Sequence, residues 1–318
     1  MFSLRDQWIW DFWIIPHDHR YHLFHLQAPR SWPPQARHDH ASIGHAVSTN
    51  LRDWTPLAPA LSPATAPAWD DLALWTGSTI GHNGRFYLFY TGRDRASRVQ
   101  QIGYAVSRDL HRWSRVADNP CLDPSPRWYQ TAAESLPEDY TWRDPYVLKS
   151  PGASRFYMFL SARDRRQAPG RQGAIALAES ADLVHWTMHP PASSPGWFRD
   201  MEVPTVVYAR GRWHLFFSVK ADWYAPDYPF ASRVTGTLCF QSADICGPYL
   251  PAASEPVVSW GTCYAARPVA DFRARWHLLG WRMGVEEGYP DQVPSYVLGD
   301  PQPLQFGPDG AQLAPVRY

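Results

Sequence analysis

The stretch RFYLFYTGRDRASRVQQIGYAVSRDLHRW, residues 85–113, carries two patterns. Arg85 opens a run in which large apolar side chains alternate, the period-two signature of a half-buried strand. "IGYAV" reads as a second strand, and "SRDL" has the composition of a tight turn. Trp113 then opens a third strand.

Both patterns recur. The basic–aromatic–aliphatic run appears as RYHLFHL at 20, RFYLFYTG at 85, RFYMFLSAR at 155, RWHLFFSVK at 212 and RWHLLGWR at 275. Successive copies start 65, 70, 57 and 63 residues apart. The turn-bearing run appears as IGHAVSTNLRDWTPL at 43, IGYAVSRDLHRWSRV at 102 and IALAESADLVHWTMH at 175, with LCFQSADICGPYLP at 238 as a degenerate copy. Self-similarity of this kind identifies a repeat architecture. Five units, each with room for about four strands, predict an all-β chain folded as a single five-bladed β-propeller. A β-sandwich is the competing reading, and five copies in order argue against it. No segment shows the helical pattern of a βαβ unit, and no compositional break divides residues 1–318.

Composition narrows the function. The formal charge is +0 and the arginines are scattered, so neither nucleic acid nor a membrane surface is an expected partner. No run approaches the ~18 apolar residues of a membrane span. No secretory leader is visible, which makes a cytoplasmic location the expectation. The four cysteines, Cys121, Cys239, Cys246 and Cys263, show no metal-binding spacing. His17, His19, His38 and His40 crowd two short stretches, but they alternate with other residues outside any H-x-x-x-H frame, so no metal is expected. The 17 Trp, 16 Tyr and 14 Phe suit sheet cores and also sugar-stacking walls.

One carboxylate is out of place. In DQWIWDFWIIP, residues 6–16, Asp11 lies among Trp8, Trp10 and Trp13. A carboxylate in apolar company is costly unless it is paired or used. Asp11 lies nine residues before Arg20, Asp144 eleven before Arg155, and Glu202 ten before Arg212. In a propeller the innermost strand of each blade lines the central channel. Three acids at nearly equivalent repeat positions are therefore expected to converge on one end of that channel. The corresponding stretch of blade 2 is LWTGST, 74–79, without an acid, and that of blade 5 is CYAARP, 263–268, with Tyr264 and Arg267. Clustered carboxylates raise at least one pKa. A glycosidase needs that condition, one acid to protonate the leaving group and one carboxylate to attack. Asp53, Asp109 and Asp182 also repeat, but as formers of outer turns. Glu286 and Glu287 follow no pattern.

These motifs resemble those of the five-bladed propeller glycosidases acting on β-fructosides, the invertase-like and levansucrase-like families. IWDFWII is similar to the levansucrase opening, which implies Asp11 as nucleophile. WTGST, Trp75 to Thr79, is similar to W-S-G-S, with Thr76 in place of Ser and Ser78 retained. The RDP motif is intact as Arg143, Asp144 and Pro145, implying a transition-state stabiliser in Asp144 and a sugar-hydroxyl ligand in Arg143. EVP is similar to E-R-P and E-C-P, which implies Glu202 as general acid, and Asp200 falls where levansucrases carry another acid. By the resemblance, Trp10, Trp75 and Arg143 form the sugar subsite, and Thr76, Ser78, Asp200 and Tyr264 complete the binding set. The chemistry requires no cofactor. The C-terminal β-sandwich of invertase-like enzymes is not expected within residues 1–318.

The expected activity is retaining hydrolysis of β-fructofuranosides such as sucrose or fructo-oligosaccharides, with transfer to a second sugar in competition. Two alternatives stand beside it: an inverting propeller glycosidase acting on arabinosides or xylosides, and a non-catalytic carbohydrate-binding propeller. Oligomeric state is not legible in the sequence.

Overall fold

A computed structural model describes residues 1–137, 139–152, 154–252, 255–261, 263–283 and 296–314. Glu286 and Glu287 lie outside the described residues. The strands form five antiparallel sheets, each a contiguous piece of chain. Blades 1 to 4 have four strands each, and the fifth sheet has five. The first strand of each blade lies at one edge of its sheet: Gln7–His17, Ala73–His82, Trp142–Lys149, Glu202–Ala209 and Cys263–Ala270. Each of these touches its counterpart in the next blade, and the fifth touches the first. They are the inner strands around the channel of the expected five-bladed propeller.

Two backbone hydrogen bonds of 2.9 Å between Phe2 and Leu298 tie the first blade to the last. The core is divided in the same way. Five buried apolar clusters fill the seams between neighbouring blades, for example Phe89, Ile102, Met158 and Phe156 between blades 2 and 3. This is the burial pattern of the repeat. Both faces of a radial sheet are covered, so RWHLFFSV, residues 212–219, is buried at every position after Arg212.

The register proves the equivalence of the blades. Trp10 pairs with Leu26, Trp75 with Thr91, Arg143 with Ser161, Glu202 with Ser218 and Tyr264 with Trp281. In every case the second member is the sixth residue after the basic residue that opens the repeat. Just beyond this pair every inner strand carries a bulge. In four blades the next residue takes a positive φ: Asp11 at 26°, Asp144 at 60°, Val203 at 54° and Ala265 at 47°. For non-glycine residues this conformation is costly and is found where surrounding structure enforces it.

The bulge corrects the alignment of the three acids. Asp11 and Asp144 are bulge residues, but Glu202 precedes its bulge, and Val203 is the true counterpart of Asp11. The unequal hairpin loops after the inner strands hid this one-residue offset. The outer turns need a second correction. In blade 1 the turn is built by Asn50, whose Oδ1 accepts from the N–H groups of Arg52 and Asp53, each at 2.9 Å. Asn50 aligns with Asp109 and Asp182, whereas Asp53 merely accepts from the Asn50 amide at 2.7 Å.

Candidate active site

A cavity of about 380 Å³ opens at the end of the channel where the bulges lie. A strand normally sends successive side chains to opposite faces. A bulge breaks that alternation and re-aims one side chain. Here consecutive pairs face the same cavity: Trp10 with Asp11, Trp75 with Thr76, Arg143 with Asp144, and Glu202 with Val203. Blade 5 contributes Tyr264 and, from its second strand, Trp281. The bulge in blade 2 also explains Gly77, because a Cβ there would stand 2.0 Å from the Phe89 carbonyl oxygen.

The three carboxylates are brought together. Asp11 lines the cavity and is partly exposed to it. Thr76 donates a 2.5 Å hydrogen bond to its Oδ2. Desolvation, and then the charge of Asp144, push the Asp11 carboxyl up to about 7. Asp144 is buried and accepts at Oδ2 from Ser161 at 2.8 Å and from the Val203 N–H at 3.0 Å. Its own N–H donates to Thr91 at 2.9 Å. Burial raises the Asp144 carboxyl, while Arg143, 3.7 Å away, works against that rise.

Glu202 accepts from two donors, Arg143 at 2.9 Å on Oε1 and Tyr264 at 2.5 Å on Oε2. Burial opposes the charge of Arg143, but Glu202, Asp144 and Asp200 more than offset it, and the guanidinium is held above its ordinary value. Tyr264 is raised well above the phenol range by burial and then by Glu202.

Two expected binding residues do not line the cavity. Ser78 is turned into the seam with blade 3, where its Oγ accepts from the Val147 N–H at 2.9 Å. Asp200 is buried behind the wall in an ion pair with Arg163 at 3.2 Å. It accepts from Thr141 at 2.8 Å, and Thr141 in turn accepts from Arg143 at 3.1 Å. Asp200 therefore steadies Arg143 through a hydroxyl relay.

The cavity lining adds groups that sequence reasoning missed: Arg37, His38, Arg93, Gln100 and Lys220. His38 stays neutral, held well below its ordinary value by burial and then by the charges of Arg37, Lys220, Arg93 and Arg143. Its carbonyl accepts from the Trp75 indole at 2.8 Å, which fixes that aromatic wall. Trp281 was legible in principle, because it holds the sixth repeat position that Thr91 and Ser161 use to brace Asp144. Arg37 and His38 lie on a short helical turn outside the repeat and left no such signal, whereas Arg93 and Lys220 share the eighth position after the opening basic residue and Gln100 begins the third strand of blade 2.

The family profile described as the glycosyl hydrolases family 32 N-terminal domain matches residues 11–297. The chain belongs to glycosyl hydrolase family 32. Among relatives of this family 32 domain, a β-fructofuranosidase of Arabidopsis thaliana, insoluble isoenzyme CWINV5, is 31% identical over 152 residues, covering 46% of this chain and 24% of the relative. A probable sucrose-6-phosphate hydrolase of Vibrio cholerae is 31% identical over 179 residues, covering 54% of this chain and 28% of the relative. The aligned region thus spans about a quarter of the length of such curated relatives.

Among solved structures, an inulosucrase from Halalkalicoccus jeotgali bound to kestose superposes with a TM-score of 0.78 at 18% identity, covering 98% of this chain and 87% of that one. Bacillus subtilis levansucrase gives 0.76 at 15% identity, covering 98% and 86%. At these identities the likeness is one of fold. Among the described residues no helix is long and apolar enough to cross a membrane, and no group of three or more His, Cys, Asp or Glu is placed to hold a metal ion.

Proposed function

We propose that this chain is a retaining glycoside hydrolase of β-fructofuranosides. The observation that carries the reading is the convergence of Asp11, Asp144, Glu202 and Arg143 in one aromatic-walled cavity. Asp11, ionised, attacks the anomeric carbon and forms a glycosyl–enzyme ester. The bond from that carbon to the leaving oxygen breaks, and Glu202 gives its proton to that oxygen. Glu202 then takes a proton from water, the water oxygen attacks the same carbon, and the Asp11 ester is released. Asp144, held by Ser161 and Val203, faces the sugar and balances the positive charge that develops on the ring. Trp10, Trp75 and Trp281 supply apolar faces for the sugar, and Arg143 and Tyr264 orient Glu202. Lys220 offers a donor to the departing sugar. The kestose bound to the Halalkalicoccus jeotgali inulosucrase and the activity named for the Arabidopsis relative favour a fructoside over a pentoside.

The test is a panel of sucrose, inulin, levan, aryl arabinosides and aryl xylosides, scored for released sugar. Release from the first three alone is the expected result. NMR of the first-formed product, before mutarotation, is expected to show retained configuration. Inverted product would make Asp11 a general base, and no release from any member would favour a binding propeller.

A further inference from the structure

Arg267 lies on the inner strand of blade 5, three residues past Tyr264, and is only 3% exposed. None of its three guanidinium nitrogens meets a hydrogen-bond partner among the described residues. It makes no direct ion pair there either. A guanidinium does not shed its proton to escape burial. An uncompensated buried charge is strongly destabilising, so its retention needs a counter-charge. The ionisable groups facing it are Asp11 from blade 1 and Tyr146 and Asp144 from blade 3.

We propose that Arg267 is a positioning residue for the attack, a buried cation on the inner strand of blade 5 that favours the ionised form of Asp11. This rests on the reading of Asp11 as nucleophile. Around Asp11, Thr76 approaches from blade 2, Asp144 from blade 3, Glu202 from blade 4 and Arg267 from blade 5. Both carboxylates disfavour a charge on Asp11. Arg143 is committed to Glu202 at 2.9 Å. The Thr76 hydrogen bond and, after it, the charge of Arg267 pull the other way, and Arg267 does so from a strand that carries no acid at the site.

The test compares wild type with Arg267→Gln, Arg267→Met and Arg267→Lys. The first reading is the pH profile of kcat/KM on sucrose. The acid limb is expected to move up by about one unit in the Gln and Met variants. Well below the limb, kcat/KM then falls about tenfold, while KM at high pH is unchanged. Arg267→Lys is expected to restore the limb. The second reading is the titration of the Asp11 carboxyl by 13C NMR, assigned with Asp11→Asn. It is expected to shift in the same direction and needs no substrate. Wild-type limb and titration in the Gln and Met variants, with only a lower Tm, would make Arg267 a volume filler and overturn the proposal. If those two variants fail to fold, an acid limb displaced in Arg267→Lys as far as the one-unit expectation would overturn it, because the charge is retained. Failure of the functional reading looks different: wild type releases no fructose, while the NMR titration still reports on the charge.

Discussion

Asp109, in the outer turn of blade 2, and Asp11, on the inner strand of blade 1, are the same side chain in two parts of one repeat. Asp109 is exposed and accepts from the backbone N–H groups of Arg112 at 2.8 Å and His111 at 2.9 Å, and these donors hold its carboxyl down at about 2. Asp182 in blade 3 is likewise lowered, first by the His185 ring and then by the His185 N–H. Among the described residues Asp11 has one hydrogen-bond donor, Thr76, and two carboxylates act on it, and it is driven up to about 7. Donor count and solvent separate them. The turns stabilise the chain by satisfying the carboxylate, and the inner strand leaves Asp11 under-satisfied, as its proposed role in attack requires.

The largest expected effect breaks the inner set. Asp11→Asn and Glu202→Gln should each lower kcat on sucrose by at least about a thousandfold, since an amide neither attacks nor donates an acidic proton. Asp144→Asn should lose about a hundredfold or more. All three should keep wild-type circular dichroism. A Glu202→Gln variant retaining a tenth of the wild-type rate would place the acid elsewhere.

The next expected effect concerns pH. Attack requires the ionised form of Asp11, so kcat/KM should rise with pH through the neutral range, with a limb near the value of about 7. A limb near 4 would mean that the floor of the pocket is far wetter than its packing indicates.

Stability should move the opposite way. The folded value of about 7 lies above the ordinary 3.8. Between these values the folded chain holds a proton that the unfolded chain has released, so stability falls as pH rises through that window. Asp11→Asn removes this loss. Its Tm is expected to exceed wild type by several degrees at pH 8 and to match it at pH 3.5, read by calorimetry.

The smallest effect belongs to the turns. Asp109→Ala should cost about 1 kcal/mol, from hydrogen bonds that water partly replaces. Its kcat/KM should stay within twofold of wild type. A larger loss of activity would show that the outer turns reach the pocket.

Much of this architecture was written in local pattern. Strand alternation and turn composition repeat five times, and each rests on neighbours in the chain. The bulge is different. Nothing in WDFW, WRDP, MEVP or CYAA announces a positive φ, and for Val203 the conformation runs against β-branched preference. The shift of Glu202 by one residue, the withdrawal of Ser78 into a seam and the retreat of Asp200 behind Arg143 all follow from how neighbouring blades meet.

The sequence by itself determined the fold class, the number of blades and the identity of the three converging acids, because repeats and hairpins are short-range. Only the tertiary structure decided which side chains share the cavity, what each carboxylate hears from its neighbours, and that His38, Lys220 and Trp281 complete the walls. Those properties depend on distances between blades some 60 residues apart, and desolvation and charge act through space rather than along the chain.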